Sequence, residues 1–505
     1  MSPTRPDASV QIDTLHADLD ERLSALRADP TPVDRSRERV ENALADDEAH
    51  YGINTGFGAL AQKQVPRDEL ETLQRNLVFS HAVGIGDLVP KSLSRLILRL
   101  KIHALGLGYS GVSRETFDRL LLFAERDLIP AIPSRGSVGA SGDLAPLAHL
   151  ALPLLGEGQF WTEDGTVRSA EAVLDEHGLD PITLQPKDGL SLINGTQQMS
   201  GYGAHVLHEA HRLVKIADLL FAMSLEALQG RIKPFDARVH EVRPHPGAQQ
   251  VAQNVRTLLT DSEILESHRN CGKVQDPYCL RCVPQVHGAS RDALCHATNI
   301  VEREINSVTD NPLVFEDGDV ISAGNFHGQP LALALDYAGI ALAELASISE
   351  RRIYLLLEGH DGLPELLMED TGLNSGYMMP QYTAAALVSE NKSLAHPASV
   401  DSIPTSLGQE DHVSMGSIGA VQLLDILENV ERVLAIELLT AAQALDYRRP
   451  LRPGRGVEIA HETVREIIPH REEDYLLEDD IDQSLGFVRG EELLSPVADE
   501  LEALG

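Results

Sequence analysis

Tryptophan occurs once in 505 residues, and aromatic side chains make up only 4% of the chain. Hydrophobic residues still reach 43%, so the core must rest on leucine, alanine, valine and isoleucine. That suits close-packed helices and excludes a disordered chain. Four cysteines are too few for a disulfide framework and fit a reducing compartment. Lysine is scarce too, eight residues against 34 arginines, and 77 acids bring the formal net charge to −35. Such a field repels nucleic acid and anionic membranes, so neither is expected as a partner. The acid is spread along the chain and not held in one tail, as expected of a halophilic protein whose self-repulsion is screened by salt. No apolar run reaches the ~20 residues that span a bilayer, and the N-terminus lacks a basic and apolar signal pattern. A soluble, cytoplasmic protein is expected. Strand signals, internal repeats and low-complexity segments are scarce or absent.

What is present is helical periodicity. Residues 1–35 read as a loosely held N-terminal lead with one helix over 12–28. Residues 36–195 form an N-terminal region, with helices expected at about 35–45, 68–83, 93–105 and 115–127, the last N-capped by Ser113. Surface loops and a short helix are expected over 156–186. Residues 196–450 are expected to form a central bundle of long helices at 204–228, 289–308, 331–358 and 417–446. In the last of these Leu423, Leu427, Val430 and Leu434 recur at helical spacing, while Asp425, Glu428 and Arg432 form a polar stripe. Gly230 and Gly359 fall where C-caps belong. Residues 451–505 form an acidic C-terminal region, with 12 acids against two arginines from 471 onward. Long helices with apolar stripes predict a mainly α, long-helix bundle with glycine-rich loops between some of its elements.

The rest of the chain is organised around Gly136-Ser137-Val138-Gly139-Ala140-Ser141-Gly142-Asp143-Leu144-Ala145-Pro146. It is too small-residued for a strand and too glycine-rich for a helix interior. A tight bend brings the Gly142 nitrogen to the Ala140 carbonyl carbon, and attack closes a five-membered ring. Loss of water from that adduct, and of the Ser141 hydroxyl as a second water, leaves an exocyclic methylidene. Gly142 has no Cβ to block the attack, Ser141 has a hydroxyl to lose, and Ala140 is small. The product is an electrophile made from the chain itself.

Other motifs have plainer readings beside them. Gly106 to Gly111 fits GxGxxG but follows a helical pattern, so a helix-terminating turn is expected there and not a nucleotide site; the looser fit at 56–61 fails in the same way. Cys279 and Cys282, with Cys271, His287, Cys295 and His296 nearby, lack finger-like spacing, and ordinary buried thiols are expected, with no metal. Arg281, in Lys273-Val274-Gln275-Asp276-Pro277-Tyr278-Cys279-Leu280-Arg281-Cys282, is either a surface charge or a two-pronged carboxylate clamp. Ser375 to Pro380 faintly resembles a fumarase-type signature, but Tyr382 stands where that signature has lysine.

The stretch 136–146 resembles the signature of the aromatic amino-acid ammonia-lyases, which carry a methylidene-imidazolone (MIO) group. The resemblance extends from Tyr51 to about Met415. It implies that Ala140, Ser141 and Gly142 become MIO without metal or nucleotide, and that Asp143 assists ring formation. It implies Tyr51, on the loop Tyr51-Gly52-Ile53-Asn54-Thr55-Gly56-Phe57-Gly58, as candidate base for the β-proton, with Tyr278 and Glu410 as alternatives. Asn194, in Leu192 to Gln197, lies beside the ring in that family, Phe326 packs near it, and Gln275, Tyr278 and Arg281 line the site. Ser80-His81 and Gln409-Glu410-Asp411-His412 replace the pairs of the phenylalanine and tyrosine enzymes. They imply a substrate imidazole, hence elimination of ammonia from L-histidine to trans-urocanate, the first step of histidine degradation. A homotetramer whose sites draw on several chains is also implied. The alternatives are a phenylalanine or tyrosine lyase or aminomutase, and a zinc- or nucleotide-binding regulator.

Overall fold

Leucines at 15, 19, 23 and 26 follow helical spacing, and in the computed structural model, which describes residues 9–45 and 49–501, all four are buried on the helix Leu15–Ala28. That helix packs against Lys91–Gly106, so this part of the expected loose lead is a packed element. A second helix, Thr31–Ala45, follows at once. The shorter helices Leu70–His81, Lys91–Gly106 and Arg114–Glu125 lie where periodicity puts them. Ser113 caps the last of these, its hydroxyl accepting the Thr116 N–H.

The long helices are Gln197–Ala227, Val283–Ile305, Gln329–Leu357 and Gly416–Asp446. The first two begin six or seven residues before the expected starts at 289 and 204, because their first turns carry small and polar residues that apolar spacing does not mark. Gln329–Leu357 is apolar and long enough to cross a membrane by composition, yet 56% of its most apolar window is buried in the fold, which is how a core helix looks. At the end of Gln197–Ala227 the left-handed residue is Gln229 (φ 47) and not the expected Gly230. The Gly230 N–H bonds back to the Leu225 carbonyl and the Gln229 N–H to Glu226, a Schellman closure. A Cβ at Gly230 would lie 2.2 Å from a Leu225 methyl, which would have to move to admit it. Gly359 (φ +73) does take the left-handed conformation.

Among the described residues, strands occur as three two-stranded antiparallel pairs: Ile85–Leu88 with Pro133–Arg135, Gln159–Trp161 with Val167–Ser169, and Leu313–Val314 with Val320–Ile321. The second falls where loops were expected. Its Phe160 is buried edge-on against Phe123, ring centroids 5.1 Å apart, and that contact stabilises a hairpin too short to show as alternation.

Contacts divide the chain into two units, neither continuous in sequence. One takes in residues up to His208, Ala297–Asp336 and Pro397–Val421; the other takes in Glu209–His296, Tyr337–His396 and the chain from Gln422 on. The first holds all three strand pairs. In the second, buried Arg352 pairs with Glu437, whose carboxylate also accepts the Ser224 and Ser349 hydroxyls at 2.8 and 2.6 Å. A buried ion pair with its lone pairs so satisfied is costly to break by removing one partner.

Candidate active site

The glycine-rich stretch leaves the strand Pro133–Arg135 and enters the helix Leu144–Ala151. Two features force it to bend. Gly142 has φ +75, and a Cβ there would lie 2.0 Å from the Gly195 carbonyl oxygen, so no larger residue fits. Gly142 pairs with Gly195, and the Asp143 N–H donates to the Gly195 carbonyl at 2.7 Å. The Asn194 side chain donates from Nδ2 to the Ser141 carbonyl at 3.2 Å. Ala140-Ser141-Gly142 is thereby laid along Asn194-Gly195.

Asp143 is fully buried. Its carboxyl accepts the Met199 N–H at 2.9 Å and the Ser417 hydroxyl at 2.7 Å, at the starts of two long helices. Burial pushes the group up to about 6 against those hydrogen bonds. It ties the loop to two helix N-termini, where partial positive charge offsets the cost.

The loop opens on two adjoining cavities of about 490 and 610 Å³, which share Tyr51, Gly58, Ser141, Asn194 and Glu410. His81 lines the smaller, and Ala140 and Phe326 the larger. The Ser141 hydroxyl donates to Glu410 Oε1 at 3.0 Å, and Thr405 Oγ1 donates to Oε2 at 2.5 Å. Tyr51 accepts the Gly58 N–H on its hydroxyl at 3.1 Å; burial, then nearby Glu410, raises its phenol above the usual range. His81 Nδ1 lies 2.8 Å from the Leu77 carbonyl. A carbonyl only accepts, so Nδ1 carries the proton and Nε2 is left as an acceptor. Burial lowers the His81 pKa, which favours that neutral imidazole.

Seven predicted residues, Tyr51, His81, Ala140, Ser141, Asn194, Phe326 and Glu410, thus line one cleft of the first unit. Gln275, Tyr278 and Arg281 do not. They belong to the second unit, line neither cavity, and lie on a surface segment where Tyr278 is 69% exposed. Arg281 donates to the Asp276 carbonyl at 3.0 Å and stands 4.5 Å over the Tyr278 ring. The same surface course explains the cysteines. Cys271, Cys279 and Cys282 are half-buried and Cys295 exposed, where buried thiols were expected. His287 is engaged by Asp218 at 2.8 Å. Among the described residues, no group of three or more His, Cys, Asp or Glu is placed to hold a metal ion. Gly106 ends a helix and Gly108 and Gly111 turn away from it with positive φ, so the GxGxxG match is a helix-terminating turn.

Sequence reasoning missed Thr405, which orients Glu410, and Lys101, which donates to the Asn194 carbonyl at 2.7 Å. Neither belongs to a motif, and only the fold brings them in. Among the described residues, no lysine or arginine lines either cavity.

The pattern of the aromatic amino acid lyase family matches residues 16–466. A histidine ammonia-lyase of Anaeromyxobacter sp. (strain K) is 52% identical over 460 residues, 89% of this chain and 91% of its own. Histidine ammonia-lyase from Trypanosoma cruzi superposes with a TM-score of 0.87 at 41% identity, covering 98% of this chain and 94% of its own. Tyrosine aminomutase from Streptomyces globisporus superposes with a TM-score of 0.89 at 35% identity, covering 97% of each chain.

Proposed function

The chain belongs to the aromatic amino acid lyase family, and from that premise we propose that it eliminates ammonia from L-histidine to give trans-urocanate. The observation that carries the choice of substrate is the presence of His81 and Glu410 in the cleft that holds Ser141. A neutral His81 offers Nε2 to one N–H of a protonated substrate imidazole, and Glu410 offers a carboxylate oxygen to the other. A phenyl ring would offer nothing to His81 Nε2 or to the Glu410 oxygen that Thr405 does not hold, at a cost.

The tripeptide fits the MIO group. Gly142 is bent and has no room for a Cβ, the Asn194 amide already touches the Ser141 carbonyl, and Ser141 supplies a hydroxyl to lose. Once formed, the group supplies an electrophile for the substrate amine, which is otherwise a poor leaving group. Asp143 supports its formation by anchoring the loop. Phe326 packs on the cleft wall. Burial raises the phenol of Tyr51; Tyr51, Glu410 and the Tyr278 of a neighbouring copy are the candidates to take the β-proton.

A carboxylate substrate needs a cation, and the described cleft has none. Arg281 is half-buried beside exposed Gln275 and Tyr278, and its guanidinium suits a two-pronged hold on a carboxylate. These three residues act in the cleft of another copy of the chain, within a homotetramer. The reading is tested with purified protein by following the absorbance of the unsaturated product. Histidine should react faster than phenylalanine by ~10⁴, the scale on which a site built for a polar group rejects an analogue lacking it. Equal rates would remove histidine as the substrate while leaving the lyase class. The sharing of sites is tested by complementation. Ser141→Ala and Arg281→Ala are each expected to be inactive alone and to regain a measurable part of wild-type activity when co-expressed, because some clefts then receive Ser141 and Arg281 from different chains. No recovery would return Arg281 to its own chain's cleft.

A further inference from the structure

A fully buried lysine needs a reason, since an ammonium taken out of water is costly unless paired. The first unit has two. Lys187 is accounted for: its Nζ lies 2.8 Å from Asp310 Oδ2 and 3.1 Å from the Ser191 hydroxyl. Lys101, on the helix Lys91–Gly106, is only 2% exposed, and among the described residues no carboxylate lies within ion-pairing distance of it. Its Nζ donates instead to the Asn194 carbonyl at 2.7 Å and reaches Gln197 Oε1 only at 3.5 Å. Burial draws its ammonium down to about 7, with Asp310 and Asp143 opposing the shift and Lys187 adding to it.

The carbonyl it holds is the back of the surface on which the reactive tripeptide lies. On the front, the Asn194 amide reaches the Ser141 carbonyl at 3.2 Å, and the Gly195 carbonyl receives the Asp143 N–H at 2.7 Å. Among the described residues, buried Asn194 Oδ1 has no hydrogen-bond partner, so the side chain is held there through Nδ2, and the main chain behind it sets where it points. Asn194 sits in extended conformation (φ −83, ψ 135) just past the short helix Asp188–Ile193, and the grip of Lys101 falls on that carbonyl.

We propose that Lys101 is a positioning residue: by gripping the Asn194 carbonyl from behind, it fixes Asn194-Gly195 as the template on which Ala140-Ser141-Gly142 is bent. It thereby sets both the closure of the ring in that tripeptide and the reach of the Asn194 amide to the Ser141 carbonyl. Lys101 lines neither cavity, so it acts through Asn194 and not on substrate. The inference rests on the reading of the tripeptide as a ring precursor and extends it to a residue outside the cleft.

The test uses Lys101→Met, which keeps the chain length and apolar bulk and deletes the donor. Intact mass should show a mixture, part of the protein retaining the two waters that ring closure removes. Per processed chain, kcat on histidine should fall about tenfold with KM changed less than about twofold, the pattern of a lost positioning contact. Lys101→Gln, which keeps a donor, should lie between Met and wild type, and it carries the same comparisons if the Met variant is insoluble. In an Asn194→Ala background, which keeps the main-chain carbonyl but removes the amide, Lys101→Met should still leave part of the protein unprocessed, yet cost less than about twofold further in kcat per processed chain, because residues acting as one unit are not additive. Complete processing with wild-type kcat in Lys101→Met overturns the proposal. So does a full tenfold loss of kcat per processed chain in the Asn194→Ala background, which would show that Lys101 does not act through the Asn194 amide. A wild-type protein that retains both waters would instead overturn the ring reading, and this proposal with it.

Discussion

Ser141→Ala is expected to abolish deamination of histidine, by on the order of 10³-fold or more, as when a group on which the whole reaction is built is removed. Alanine has no hydroxyl, so the second dehydration has nothing to expel and no methylidene forms. The loop itself should survive. Gly142 keeps its bend, its pairing with Gly195 and the Asp143 anchor on two long helices. At most one bond differs, that from the Ser141 hydroxyl to Glu410 in the chain before ring closure expels the hydroxyl, and Thr405 still holds the other carboxylate oxygen. One half-buried hydrogen bond is worth about 1 kcal/mol, so the melting temperature should move by a few degrees at most. Intact mass separates the possibilities. Wild type should be lighter than its sequence by two waters, and the variant should show only the mass its sequence predicts. A variant with wild-type turnover would remove the self-made electrophile from the mechanism.

The loop, the cap at Ser113 and the long helices were legible in the sequence because each is specified locally. Three glycines in seven residues announce a bend, a serine before an apolar-periodic run announces a cap, and 3.6-residue spacing announces a buried face. What was not legible depends on distant packing. Gln229 and not Gly230 takes the left-handed position, since a close approach to Leu225 claims the glycine. The hairpin around Phe160 exists because Phe123, far along the chain, meets its ring. Thr405 and Lys101 reach the site only through the fold. Gln275, Tyr278 and Arg281 are the most instructive case. A motif states which residue types a site needs, and here the fold leaves those three outside both cavities of the described cleft.

Glu410 offers the sharpest test of how the cleft chooses its substrate. Glu410→Gln keeps the size and a hydrogen-bonding oxygen for Thr405, and exchanges one carboxylate oxygen for an amide that donates. If Glu410 faces the substrate imidazole, that exchange sets a donor against a ring nitrogen's proton and withdraws the negative charge that steadies a protonated ring. Turnover of histidine should then fall by ~10² to 10⁴, the range for removing a charged partner or proton acceptor from a closed site. Phenylalanine has no ring nitrogen to lose a partner, and a neutral amide beside a phenyl ring costs less to desolvate than a carboxylate. Its slow reaction should stay unchanged or rise slightly, so the preference for histidine narrows. The measurement is the rate of product absorbance with both amino acids, wild type against variant, each normalised to the fraction of chains that have lost two waters. An equal fall for both substrates would make Glu410 the acceptor of the β-proton, a step they share, and would leave His81 alone to recognise the ring. An unchanged histidine rate would remove Glu410 from both roles and leave the β-proton to Tyr51, as the stronger candidate, or to the Tyr278 of a neighbouring copy.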